Sequence, residues 1–287
     1  MKIGIIGQGF VGSAIKEGLK KHYKVKTFDI EKSKCNSTHE EVCCNSDIVF
    51  VCLPTPMRVD GSCDIRILET AIDEVHNLCR SVNKFPVVVI KSTIPPGTTS
   101  RINLKYKDMC VLFSPEFLTE ANSFKDFKNQ TRIIIGSQKD YASKNAAVKV
   151  KKMFRAAFPP LSTEIVIADS CEAEMCKYFI NCFLATKVTF ANQMFQVCLD
   201  NNIKFKNVVD IALLDKRIGK SHFSVPGPDG DLGFGGHCFP KDLSAIISLG
   251  SNNSGDTSFL SAVQEYNDKC RKFRDWEMMK GRAVSDD

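Results

Sequence analysis

Residues 2–12 read Lys2-Ile3-Gly4-Ile5-Ile6-Gly7-Gln8-Gly9-Phe10-Val11-Gly12. An apolar run of strand length passes directly into Gly-x-Gly-x-x-Gly, and a helical pattern continues through Lys21. Three glycines at this spacing, between a strand and a helix, predict a dinucleotide-binding turn. Gly7 permits the tight turn, Gly9 lets backbone amides approach a pyrophosphate, and Gly12 lets the helix pack on the strand. The helical pattern follows Gly12, the phosphates are expected at its N-terminus, and Phe10, Val11 and Gly12 are counted with the cofactor-binding residues. A plain tight turn is the competing reading, and the next strand argues against it. Lys24–Phe28 ends in Asp29, about 20 residues beyond the glycines, where a carboxylate bonds a ribose 2′-hydroxyl and repels a 2′-phosphate. The expected cofactor is therefore NAD rather than NADP, with Lys32 and Lys34 acting weakly against that preference.

Further strands are expected at Ile48–Leu53, Val87–Lys91, Met109–Phe113, Arg132–Ile135 and Glu164–Ala168, with helices at 64–81, 98–105 and 140–156 between them. This alternation predicts an α/β fold, a doubly wound parallel sheet covered on both faces. Ligands of such sheets bind beyond the carboxyl ends of the strands. The loops there carry Thr55-Pro56, Ser92-Thr93 and Glu116-Phe117-Leu118-Thr119-Glu120. From about Cys171 the character changes to long helical patterns at 171–201, 206–214 and 257–280. The expected division is a nucleotide-binding domain at 1–170 and a helical domain at 171–287. Lys177 and Asn181 are four apart on the longest helix and share a face.

The chain of 287 residues, 43% hydrophobic, is long enough to bury about three-quarters of its unfolded surface. No apolar run reaches the ~18–20 residues of a membrane span, and the start is a strand rather than a cleavable signal. Thirteen cysteines, odd in number and irregularly spaced, read as reduced thiols in a cytoplasmic setting. The net charge of +6 comes from scattered lysines. The run at Lys149, Lys151 and Lys152 fits a solvated helix face better than a nucleic-acid site. Cys35, His39, Cys43 and Cys44 fall at helical spacing, but no second ligand pair accompanies them, so no metal site is expected.

Residues 233–242 read Gly-Phe-Gly-Gly-His-Cys-Phe-Pro-Lys-Asp and open a helical pattern at 240–249. A helix N-terminus and the nearby Lys241 ammonium both favour a thiolate at Cys238, and Gly235 and Gly236 leave room for a substrate. A buried cysteine in a glycine turn accounts for this stretch equally well when it is taken alone.

Gly7–Gly12, Thr55-Pro56, Ser92-Thr93, Pro115–Glu120, Lys177-x-x-x-Asn181, Arg217-Ile218-Gly219 and Gly235–Asp242 follow one another in a single order. That order resembles the UDP-glucose/GDP-mannose dehydrogenase family, from residue 2 to about 270. The resemblance implies a Rossmann-like nucleotide domain followed by a helical central domain. It also implies NAD-dependent, four-electron oxidation of a nucleotide-sugar alcohol to a carboxylate, UDP-glucose to UDP-glucuronate. Cys238 then matches the nucleophile that carries a thiohemiacetal and a thioester. Lys177 and Asn181 match oxyanion donors, and Asp242 matches the residue that positions water and assists proton transfer. Thr93 and Glu120 match residues lining the site. Thr55, Pro56 and Thr93 match the cofactor side. Glu116, Phe117, Leu118, Gly235 and Gly236 match the substrate side, and Arg217 matches an arginine that reaches substrate across a homodimer interface.

The sequence departs from the family pattern at Ala121, where glycine is usual, and at His237, where a small residue is common. The resemblance also implies a UDP-binding domain after the last helix, and the expectation here is that this domain is absent. The expectation is weak substrate binding unless a separate chain completes the UDP site. Two rival readings differ in class. One is a single-step 3-hydroxyacid-type dehydrogenase, which also uses a Lys-x-x-x-Asn pair but needs no nucleophilic cysteine. The other is a truncated, non-catalytic homologue that binds NAD or a partner.

Overall fold

The computed structural model describes residues 1–158 and 162–286. The chain sorts into two compact units, one formed by Met1–Thr55 with Ile65–Lys177, the other by Pro56–Asp64 with Tyr178–Asp287. Among the described residues, no helix is long and apolar enough to cross a membrane.

The first unit alternates strand and helix. Its elements are β1 (Lys2–Ile6), α1 (Phe10–Leu19), β2 (Lys24–Phe28), α2 (His39–Cys44), β3 (Ile48–Val51), α3 (Arg66–Ser81) and β4 (Val87–Ile90). Then come α4 (Thr98–Lys105), β5 (Val111–Phe113), α5 (Ser123–Lys128), β6 (Arg132–Ser137), α6 (Tyr141–Ala157) and β7 (Glu164–Asp169). They form one seven-stranded sheet in the order β2-β1-β3-β4-β5-β6-β7. All four residues of β3 and all three of β5 are buried, as expected for strands covered on both faces. Side chains alternate between the faces. Ile48 and Phe50 join a core with Ile15 of α1 and Phe154 of α6, while Val49 and Val51 join another with Val42 of α2, Ile72 of α3 and Ile102 of α4. Each fully buried side chain of this size contributes about 1.5–3 kcal/mol.

The seven expected strands are all present, but the sheet is not wholly parallel. β5 and β6 meet in an antiparallel bridge, Phe113 opposite Gly136. The connection between them holds a 3-10 turn at Glu120–Asn122 and α5, six residues or about 9 Å of helix, which packs against α1 rather than running back along the sheet. β6 therefore starts from the edge where β5 ended. Of Cys35, His39, Cys43 and Cys44, the last three lie in α2, which begins at His39 after a Thr38 cap, and Cys35 lies outside it, with its thiol on the Asp29 backbone.

Helix α7 (Ser170–Asp200) runs through the division between the units. The second unit adds α8 (Phe205–Ala212), α9 (Phe239–Asn252) and α10 (Ser258–Cys270). Its small core joins Cys182 and Ala185 of α7, Phe234, Leu243 of α9 and Val263 of α10. The 56–64 segment is fastened to the chain end by Met57, whose N–H donates to Ala283 O and whose carbonyl accepts from Ser285, both at 2.8 Å. The helix expected to run to residue 280 stops at Cys270. Arg271 turns extended, its Nε donates to Phe273 O at 2.9 Å, and the Phe273 N–H goes to Asp231 at 3.1 Å. Side-chain partners from the 229–231 loop thus replace the helical bonds.

Candidate active site

In the first unit, the glycine turn starts at the end of β1. Gly7 has φ +88°, and a Cβ there would stand 2.4 Å from Cys52 O. A Cβ on Gly12 would stand 1.9 Å from Gly7 O, so only glycine lets α1 start so close to the turn. Gly9 caps α1 without a side-chain bond and has open space above it. Phe10, Val11 and Gly12 form the first turn of α1, and a helix N-terminus at a glycine turn is an arrangement that fits a pyrophosphate. Asp29 at the end of β2 ties this loop down, accepting the Gln8 N–H at 2.6 Å and the Glu31 N–H at 2.9 Å. A carboxylate has about four lone-pair sites, so it retains capacity for ribose hydroxyls. Lys34 is held by Glu31 at 2.5 Å, which weakens its pull on a 2′-phosphate.

The loops beyond the strands are fastened to one another. Thr55 Oγ1 donates to Thr93 O at 2.7 Å, and Ser92 Oγ bonds both the N–H and the carbonyl of Leu53. Pro56 opens the segment that belongs to the second unit. Lys177 Nζ, 5% exposed at its side chain, donates to Glu116 O at 2.7 Å, lies 3.7 Å from Glu116 Oε1 and sits 5.3 Å from the Phe117 ring centroid. Glu116 also accepts the Leu118 N–H at 2.6 Å. Glu120 is exposed in a short 3-10 turn, so the partner of Lys177 in this motif is Glu116.

Two residues here were missed from sequence. Lys91 ends β4 buried, donating to Pro115 O at 3.0 Å and Ser114 Oγ at 3.3 Å. Burial pushes its amine down to about 8, against the opposing pull of Glu116. A lysine closing an apolar strand was the available signal. Glu174 of α7 is fully buried and accepts the Gly97 and Thr99 N–H groups at 2.6 and 2.8 Å, fixing the start of α4.

In the second unit, Cys238 occupies the N-cap position of α9, its carbonyl accepting the Asp242 N–H at 3.0 Å. Asp242 is 1% exposed and doubly held, by Asn181 Nδ2 at 2.6 Å and Lys241 Nζ at 2.5 Å. Burial pushes the Lys241 amine down, but the Asp242 carboxylate, with the Cys63 and Cys238 thiols, holds it above its usual value. That ammonium in turn favours a Cys238 thiolate. Burial pushes the Cys52, Cys79 and Cys182 thiols up to about 12, and Cys238 is half-buried. Gly235 lies against Arg271 and Asp275, and the Gly236 N–H donates to Asp275. Arg217 is 89% exposed and pairs through its guanidinium with Asp215. Its partner is therefore Asp215 rather than the Cys238 segment.

Residues 32–157 match the NAD binding domain of the UDP-glucose/GDP-mannose dehydrogenase family, and residues 171–269 match that family's central domain. A UDP-glucose 6-dehydrogenase of Rickettsia bellii is 36% identical over 248 residues, which cover 84% of this chain and 54% of the relative. The chain thus spans about half the length of the curated relatives it matches. A solved UDP-glucose dehydrogenase of Pyrobaculum islandicum superposes with TM-score 0.83 at 28% identity, over 93% of this chain and 68% of that one. A 3-hydroxyisobutyrate dehydrogenase of Mycobacterium tuberculosis superposes with TM-score 0.71 at 16% identity, over 93% of this chain and 92% of that one, a likeness of fold alone.

Proposed function

This chain belongs to the UDP-glucose/GDP-mannose dehydrogenase family, and on that premise we propose that it oxidises the primary alcohol of a nucleotide sugar, UDP-glucose, to the carboxylate through Cys238. The observation that carries this reading is the buried Asn181–Asp242–Lys241 set directly behind a half-buried cysteine at a helix N-terminus. The Rickettsia bellii relative named above suggests the substrate class.

NAD, when bound at the glycine turn, accepts one hydride in each of two oxidation steps. Between those steps the Cys238 thiolate adds to the aldehyde carbon, forming a C–S bond while the carbonyl oxygen takes up a proton. Hydride loss from that thiohemiacetal, with release of the hydroxyl proton, leaves a thioester. Water then displaces sulfur, giving the carboxylate and the free thiol. Lys177 and the second amide N–H of Asn181 serve the oxyanions formed on the way, and each such donor is worth about 3–4 kcal/mol in comparable sites. Asp242, with its oxygens aligned by Asn181 and Lys241, orients water and receives its proton. Asp29 selects NAD, Thr55 and Thr93 line the cofactor side, and Glu116, Phe117 and Leu118 line the substrate side.

The same reading makes the chain a homodimer. Phe179, Phe183 and Phe190 on α7 are 70%, 56% and 57% exposed, and Ile211 on α8 is 69% exposed. Apolar residues of this size left in water mark an interaction face, and Arg217, exposed on the loop after α8 and paired with Asp215, would have to exchange that carboxylate for the partner's substrate. The test of the reaction is stoichiometric. Purified protein is given NAD and UDP-glucose, and NADH is counted against sugar consumed. Two NADH per sugar support the four-electron reading. One NADH, with aldehyde released, supports a single-step dehydrogenase instead.

A further inference from the structure

The loop leading into Cys238 is gripped by a buried polar set that the reaction itself does not use. Asn267 of α10 is 1% exposed and Arg271, at the C-cap of that helix, is 6% exposed. Asn267 Oδ1 accepts the Phe234 N–H at 2.7 Å while its Nδ2 donates to Phe234 O at 3.1 Å. One amide side chain thus takes both backbone groups of a loop residue, as a neighbouring strand would. The Gly233 N–H goes to Asn192 of α7 at 3.0 Å. Arg271 carries two carboxylates, Asp229 at 2.7 Å and Asp275 at 2.9 Å. The other oxygen of Asp275 accepts the Gly236 N–H at 3.0 Å.

The glycines answer to this set. A Cβ on Gly233 would stand 2.3 Å from Asn267 Oδ1, and one on Gly235 would stand 2.2 Å from Arg271 Nη2 and 2.3 Å from Asp275 Oδ1. A buried ion pair adds little stability over apolar packing of the same volume. What it supplies is geometry: a buried guanidinium must keep its carboxylates, and Asp275 passes that constraint to the backbone of Gly236, two residues before the thiol.

We propose that Asp275, fixed by Arg271, is a positioning residue for Cys238: by anchoring the Gly236 N–H it sets where the thiol stands. The proposal rests on Cys238 being the nucleophile. Displacing a reacting group by about 1 Å costs on the order of a hundredfold in rate, so the effect is large enough to read directly.

The test follows alkylation of Cys238 by iodoacetamide, peptide by peptide, across pH 6–9. In the unsubstituted protein Cys238 must rank among the fastest-reacting thiols. If it does not, the reading of Cys238 as nucleophile fails, whatever the variants do. Asp275→Ala should slow Cys238 roughly ten- to a hundredfold and lower kcat more than it raises KM, with NAD affinity unchanged. Asp275→Asn, which keeps an acceptor for the Gly236 N–H, should restore part of the rate. Asp229→Ala removes the other partner of Arg271 without touching Gly236 and should stay within about twofold. Equal slowing by Asp229→Ala and Asp275→Ala, or no slowing by either, overturns the proposal. If Asp275→Ala does not fold, the comparison is made between Asp275→Asn and Asp229→Asn, and equal Cys238 rates in that pair overturn it.

Discussion

Asn181 donates its amide N–H to the Asp242 carboxylate at 2.6 Å, with both side chains buried. The bond joins α7 to the first turn of α9, the helix that Cys238 caps, and it makes the orientation of Asp242 a property of the fold.

Replacing Asn181 by Asp sets two carboxylates against each other in a buried place. Like charges raise the pKa of such a pair above its unfolded value. The variant's stability should therefore be greatest at low pH and fall as pH rises through the raised value. The loss at pH 8 should approach the 3–5 kcal/mol, roughly, of an uncompensated buried charge. Denaturant unfolding at pH 5 and pH 8 measures it, and equal losses at both would contradict the account.

Asp29 holds the glycine turn through Gln8, and in the proposed reading it also selects the cofactor. Asp29→Ala should weaken NAD binding and narrow its preference over NADP. A hydrogen bond to a charged group is worth about 1.5–3 kcal/mol, tenfold or more in affinity. Titration of both cofactors against both proteins decides, and an unchanged ratio speaks against this role.

Lys91 is a buried amine whose value is pushed down to about 8 by burial. Between that value and its ordinary one near 10.5, the folded protein binds fewer protons than the unfolded chain. Its contribution to stability therefore rises with pH across that window and is least favourable below it. The stability difference between the unsubstituted protein and Lys91→Met should grow in favour of lysine from pH 8 to pH 10. A difference that stays flat shows an amine with an ordinary value.

Phe179, Phe183 and Phe190 share a stripe of α7. Light scattering should give a dimer at micromolar concentration, and Phe183→Asp should give a folded monomer. A monomer in the unsubstituted protein would remove the dimer from the account.

Much of this was legible in the sequence, and the gaps have physical causes. Ile48–Val51 announces a strand because an unbroken apolar run fits only a sheet buried on both faces. Nothing in Arg132–Ser137 reveals its direction, since strand patterning is the same read either way, so the antiparallel β6 was invisible. α5 spans six residues, too few to show a helical period. The Lys177–Asn181 spacing and the Cys238–Asp242 segment stand out in the sequence because side chains of distinctive chemistry recur at short range. The Lys177 bond to a backbone carbonyl does not, because a carbonyl leaves no mark in sequence. The Asn267 and Asp275 contacts join residues 33 and 39 apart, through backbone groups in both cases.

The central claim is that Cys238 carries the sugar as a thioester, and the most direct measurement is acid formation by Cys238→Ser. With NAD and UDP-glucose supplied, the unsubstituted protein should yield the carboxylate. The serine variant should yield none while keeping its NAD affinity and its melting temperature. Full conversion to the acid by the serine variant would contradict the claim.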